Sequence, residues 1–400
     1  MRRPGAGAGE HAGRLWTREL LTAVVVNTLT MLVFYLLMTT MALYAAQRFA
    51  ASDSLAGLAS SMFIVGAVLG RLVAGPLIGS RGPRGVLVWA LVLYVAMSPA
   101  YLAAADLPLL LAVRLLHGAA HGLANTATTT IAQSVIPAAR RGEGTGYFSM
   151  SVPLAAALGP LGGLGVIDRW GYDALFWASA AVSVTAFLVA LLLPERRPAA
   201  GPRRSSGRAG LVDRDTLPLS TVMLVVGVAN ASTITFTHPF ADSLGIASHA
   251  GTFFVVNAAG VLGSRMVAGR VQDRLGDNWV MYPALLLYAG GLVLLSRVDT
   301  APELLAAGLL LGLGFGSVMP TAQAAAVRLA RPHKIGLAVA TYYLMLDLGT
   351  GLGPAALGGL VTGWDYRVMY LVVAALLLAV GVQYHLVHGR HPGRTSEVRH

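Results

Sequence analysis

The chain repeats itself at a fixed offset of 194 residues, which confines it to folds built from two like halves. Arg71-Leu-Val-Ala-Gly75 returns as Arg265-Met-Val-Ala-Gly269. The same offset, without a gap, pairs Gly82 with Gly276, Tyr94 with Tyr288, Gly118 with Gly312, Gly122 with Gly316, Gly159 with Gly353, Pro160 with Pro354 and Trp170 with Trp364. Most of the matches are Gly or Pro, residues that set backbone shape. Each copy also holds six apolar runs of about 20 residues or more, enough to cross a bilayer. They fall near 19–46, 54–79, 85–105, 107–135, 141–166 and 172–193, then 218–243, 249–272, 279–297, 302–329, 335–362 and 366–388. Only 12% of the residues are charged, where a soluble domain carries about 25%. The expected fold is an all-α membrane protein. Twelve transmembrane helices form two pseudo-symmetric six-helix bundles at 1–193 and 218–390, with a linker at 194–217 and a tail at 391–400.

Basic residues orient a membrane protein, because loops rich in Lys and Arg stay in the cytoplasm. With both termini inside, the inner segments carry 22 of the 29 Lys and Arg, while the outer loops hold Arg48, Arg169, Arg297 and Arg367. The net charge of +11 therefore reflects topology and contact with anionic lipid, and nucleic acid is not expected. The first apolar run is too long for a signal-peptide core and is read as an uncleaved helix. The Pro, Gly, Ser and Arg content of 194–216 suits a solvated linker, with Ser205-Ser206 as a regulatory alternative. No cysteine is present, which removes disulfides, thiol catalysis and thiolate metal sites. One lysine and abundant Ala and Gly suggest a GC-rich bacterium, and so its plasma (inner) membrane.

Three segments carry sequence signatures. The loop after the second span reads Gly269-Arg-Val-Gln-Asp273-Arg274-Leu-Gly276 in the second half. In the first half it is Gly75-Pro-Leu-Ile-Gly79-Ser80-Arg81-Gly82-Pro-Arg84, with Gly79 in place of the acid. The fourth span contains Arg114-Leu-Leu-His117-Gly118-Ala-Ala-His121-Gly122, and the fifth contains Ala155-Ala-Ala-Leu-Gly159-Pro160-Leu-Gly162-Gly163. Together these resemble the turn, membrane-arginine and fifth-helix motifs of the major facilitator superfamily. The last is similar to that of the twelve-helix drug:proton antiporters, with Ala155 for the first Gly. The resemblance implies two bundles that rock about a midplane cavity, a turn motif that helps hold the outward-facing state, and export in exchange for protons. The glycines also have a purely structural reading, since small residues four apart let membrane helices pack closely. Pro160 marks a kink that neighbouring helices can accommodate.

A charge at bilayer depth costs at least ~2.5–3.5 kcal/mol and needs a partner, water or a purpose. Asp347 lies near the middle of the eleventh span, where burial favours its protonated form; that suits a proton carrier, or equally a structural hydrogen bond to a neighbouring helix. Arg114, His117, His121, Asn125 and Thr128 share one face of the fourth span. That face is expected to look into the cavity, with Arg114 available to Asp347 and His121 to protons. Two histidines four apart lack further ligands nearby, so no metal is expected. His117, Asn125, Asn27, Tyr35, Asn230, Phe236, Gln323 and Tyr343 are candidate substrate contacts, their aromatic and amide character suiting an amphipathic molecule. Met319, Tyr342 and Asn257 are further candidates. Arg71 and Arg265, equivalent across the repeat, can snorkel, pair or gate, with substrate contact as the alternative.

No Walker loop, nucleophile or metal set appears, so neither an enzyme nor a bound cofactor is indicated. The expected partners are a small-molecule substrate, protons and lipids, with a monomer as the working unit. The alternatives are a proton-linked importer or facilitator, and a receptor or scaffold that no longer transports.

Overall fold

The computed structural model describes residues 14–38, 40–194 and 211–390. Ser205, Ser206 and the tail at 391–400 lie outside the described residues, as do Arg2 and Arg3. Among the described residues there is no strand. The first half comprises α1 (Arg18–Met38), α2 (Asp53–Arg81), α3 (Pro83–Ala100), α4 (Leu107–Val135), α5 and α6. α5 begins as a short helix, Arg141–Ser149, and continues over 151–170; α6 occupies 172–191. The second half comprises α7 (Leu217–Ser243), α8 (Ala250–Leu275), α9 (Asn278–Leu295), α10 (Ala301–Leu329), α11 (Ile335–Gly363) and α12 (Tyr366–Tyr384).

Two expected boundaries are corrected. The first span, read as 19–46, breaks after Met38 and resumes as a short helix, Met41–Phe49. The buried Thr40 hydroxyl donates to the carbonyls of Leu36 and Leu37 at 3.0 and 3.3 Å, offering the backbone an alternative to the helical ladder. The expected loop between the fifth and sixth spans is instead a one-residue corner. Hydrogen bonding runs through Ser151–Leu191, and only Gly171, with φ of 79°, leaves helical geometry. Glycine takes that conformation without the Cβ clash of other residues. By length and apolarity the described helices make eleven membrane-crossing segments, with 138–191 counted once; the corner at Gly171 divides that segment and brings the number to twelve.

Each half buries its own apolar cluster. One runs from Leu15 to Leu193, the other from Leu219 to Tyr384, and they share no residue. The repeat is visible in the packing. Gly118 of α4 lies on the Phe63 backbone of α2, and its equivalent Gly312 of α10 lies on Asn257 of α8. In both places the helix backbones approach so closely that a Cβ would collide. Elsewhere large apolar side chains point outward, such as Trp89 at 69% and Val255 at 69% exposed, as expected where hydrocarbon is the solvent.

The turns at 81–84, 138–141, 270–277 and 328–335 gather at one end of the bundle, here called the basic end. There the halves meet through α2 against α11 and α8 against the start of α5. Gly75 touches Leu337, Gly336 touches Ile78, and Gly142 lies on Gly269. α8 packs on the short helix Arg141–Ser149 and leaves most of 151–170 uncontacted. The two halves thus close at the basic end and part toward the other.

Candidate functional site

A polar layer crosses the membrane interior where the closed part of the interface ends. Arg71 of α2 forms an ion pair with Asp347 of α11, joining the two halves. Arg71 also faces Asn125 Oδ1 of α4 at 3.4 Å and stands over the Tyr343 ring at 4.8 Å. Asn125 donates to Asn27 Oδ1 of α1 at 2.9 Å, and Asn27 donates to Ser151 Oγ of α5 at 2.8 Å. Five helices are therefore tied by one chain of polar contacts. The Arg71 side chain is 6% exposed and that of Asp347 18%, so the carboxylate is the wetter partner. Removing one member of a buried pair leaves an uncompensated charge, at a cost of about 3–5 kcal/mol.

The repeat places a second arginine in the mirrored position with different chemistry. Arg265 of α8 donates to the Ser149 carbonyl of α5, and its Nη2 lies 3.4 Å from Met319 Sδ. Arg71 meets Asn125 and Tyr343; Arg265 meets Met319 and Ser149, the residues equivalent to those two. Asp347 is equivalent to Pro153. Proline has no N–H to give to the carbonyl four residues earlier, so Pro153 leaves the Ser149 carbonyl open for Arg265. The ion pair on one side of the pseudo-axis thus corresponds to an arginine–carbonyl contact on the other.

The sequence-derived candidates divide accordingly. Asn27, Asn125, Asp347 and Tyr343 come together in the layer. Tyr35 lies within electrostatic reach of Arg265, and Tyr343 lies beside both Gln323 and Thr129. The polar face of α4 is a correction. Arg114 does not meet Asp347; it donates to the carbonyls of Ala59 and Ser60 at 2.8 and 3.0 Å and stands over the Phe63 ring. His117 bonds Tyr101 Oη at 2.9 Å, and His121 stacks on Phe34 with ring centres 5.4 Å apart. All three are buried inside the first bundle. Phe236 packs into the core of the second half beside Tyr366, and Asn230 is half-buried on α7. Ser149, Ser151 and Thr129 are not singled out by the sequence, which favours a structural or gating role for Arg71 and Arg265 over substrate contact. The signal for the two arginines was present: an arginine kept in both copies of the repeat, well inside an apolar span.

At the basic end, Asp273 accepts from the backbone N–H groups of Gly142 and Glu143 at 2.7 and 2.8 Å. It thereby caps the short helix of the opposite half, where a carboxylate is favoured by the helix dipole. Glu143 is held by Arg140 and Arg270, and Arg270 reaches Tyr147 Oη at 2.6 Å. The first half has no such cap: Gly79 replaces the acid and has no neighbour where a Cβ would stand. Gly82 and Gly276 turn the chain with φ of 75° and 95°. Arg84 reaches the Leu191 carbonyl at 3.4 Å, and Arg274 is exposed. In the fifth-helix motif, Gly159 lies against Tyr35 and Leu36 of α1, Gly163 lies against Leu36, and Pro160 stays within the helix. Beside the cap, Asp277 is paired with Arg328 and His388 and accepts from Gln272. Burial raises its pKa, but these three partners together hold the carboxyl below its ordinary value.

Residues 23–277 and 219–399 both match the sequence profile of the Major Facilitator Superfamily. The chain belongs to that superfamily. It is 25% identical over 378 residues to the multidrug resistance protein MdtG of Citrobacter koseri, covering 91% of this chain and 93% of that one. Among solved structures it resembles the human organic anion transporter MFSD10, with TM-score 0.76 and 18% identity over 93% of this chain and 99% of that one. It also resembles the proton:xylose symporter XylE, with TM-score 0.75 and 15% identity over 92% and 94%. These likenesses are of fold, and the superfamily is one of transporters. The chain is a multi-pass membrane protein of that superfamily and resembles its drug:proton antiporter branch, and its partners are a small molecule and the bilayer.

Proposed function

We propose that the protein is a proton-coupled exporter of small organic molecules, with Asp347 as the proton carrier. The observation that carries this reading is the Arg71–Asp347 pair, which bridges the halves where the interface opens. The ionised pair favours the state closed at the basic end. Because that end holds most of the Lys and Arg among the described residues, the positive-inside bias favours placing it in the cytoplasm and the opening outside. Protons then reach Asp347 from outside, the neutral carboxyl releases Arg71, and the basic end is free to open. Loss of the proton to the cytoplasm restores the pair and drives the carrier, now loaded, outward again. The fifth-helix motif and the multidrug name of MdtG support export, although the same pair would also serve a proton-linked importer.

Inverted membrane vesicles with an imposed pH gradient test this reading. Fluorescent amphipathic dyes of either charge should accumulate in a gradient-dependent manner, and the direction of movement separates export from import. Asp347→Asn should lose gradient-driven accumulation while keeping dye exchange. Unchanged gradient dependence in that variant would overturn the assignment.

A further inference from the structure

Arg265 stands in the same polar layer without a counter-charge. It is 2% exposed, and no carboxylate pairs with it among the described residues. One guanidinium arm is on the Ser149 carbonyl, another rests on the weak acceptor Met319 Sδ, and Nε has no partner. Gln323 and Thr129 are fully buried beside Tyr343, which itself lies within electrostatic reach of Arg265. The Tyr343 phenol interacts with both, yet neither the Gln323 amide atoms nor the Thr129 hydroxyl has a hydrogen bond of good geometry. Buried polar groups are normally paired, and a cluster of orphans calls for an absent partner. A lone buried cation among orphaned donors asks for an anion.

We propose that Arg265 receives a negatively charged group of the cargo, so that the transported molecules are organic anions, a carboxylate on an aromatic or apolar body. This rests on reading the polar layer as the transport site. Arg71 is already neutralised by Asp347, so with that pair intact the layer carries one free positive charge and matches one negative group. Gln323 and Thr129 offer hydrogen bonds to the carboxylate oxygens, while Tyr342, Tyr343 and Met319 supply apolar contact for the body. Arg114 is the other buried arginine without a carboxylate, but two carbonyls and the Phe63 ring hold it inside the first bundle. Exporting such an anion in exchange for a proton moves charge in one electrical sense, so an inside-negative membrane potential drives both movements.

The test uses the purified full chain and three isosteric probes: 2-naphthoate, neutral 2-naphthamide and cationic 2-naphthylmethylammonium. Naphthoate should raise the melting temperature saturably, and the amide and ammonium should not. Arg265→Gln should abolish the effect. Arg265→Lys and Gln323→Leu should each weaken naphthoate about tenfold, the scale of a lost hydrogen bond to a charged group; they carry the test if Arg265→Gln does not fold. The binding test uses only variants that keep the Arg71–Asp347 pair, and loss of proton coupling is read separately from the gradient dependence of dye movement in Asp347→Asn. Protection by the ammonium, protection by none of the three, or unchanged naphthoate affinity in Arg265→Lys and Gln323→Leu would overturn the proposal.

Discussion

His121 and Asn125 stand one turn apart on α4, yet only Asn125 belongs to the layer that joins the halves. Asn125 links Arg71 to Asn27, whereas His121 lies among Phe34, Phe63 and Tyr94. Sequence spacing put both on one polar face, and the spacing is right. It could not tell a face turned to the interface from one filled by aromatic rings of the same bundle. Asp347 was legible because a carboxylate in mid-span admits few explanations. Its partner was not, because three arginines lay within spans and only the packing of α2 on α11 selects Arg71. The histidine assignment has a direct check. His121→Gln should leave the pH dependence of transport unchanged and lower the melting temperature, since the change acts on core packing alone. A shifted pH profile would return His121 to the proton path.

Helix boundaries were legible to within a few residues where a proline, glycine or polar cap marks them, as at Asp106, which caps Leu109 N–H at 2.8 Å. The break at Thr40 was not, because a threonine inside an apolar run is compatible with an unbroken helix; a break before residue 172 was legible, but not that Gly171 alone would make it. Pairwise packing was legible through the repeat: the Gly118–Phe63 approach of α4 on α2 recurs as Gly312–Asn257 of α10 on α8. The two turn motifs show how one element can be kept and its chemistry changed. Asp273 caps the opposite half's short helix, while Gly79 leaves an apolar contact between α2 and α11 on its side. Asp273→Ala removes a cap on two N–H groups and should cost about 0.5–2 kcal/mol in the state closed at the basic end. A single cysteine placed at Ile78, buried against Gly336 of the opposite half in the closed state, in a chain that has none, should therefore react several-fold faster with a membrane-impermeant thiol reagent from that side. Equal rates in wild type and variant would show that Asp273 does not hold this end closed.

The two bundles bury separate cores, so what holds them in one arrangement is a small set of contacts at the basic end together with the Arg71–Asp347 bridge and the Arg265–Ser149 contact. A transporter needs that set to be weak enough to break and specific enough to be controlled. A buried pair suits this, because protonating one partner converts a bridge into an uncompensated charge. The repeat accounts for the frame, and the proposed function rests on its mismatches: Asp347 against Pro153, Asn125 against Met319, Thr129 against Gln323. The central claim is that ionised Asp347 keeps the basic end shut. The most direct measurement is the distance between spin labels at Ser80→Cys and His333→Cys, on α2 and next to the start of α11, by pulsed electron resonance across pH. One short distance should dominate at alkaline pH, a longer one should grow in as the pH falls, and Asp347→Asn should show the longer distance at every pH. A distribution in Asp347→Asn identical to that of the wild type throughout would contradict the account.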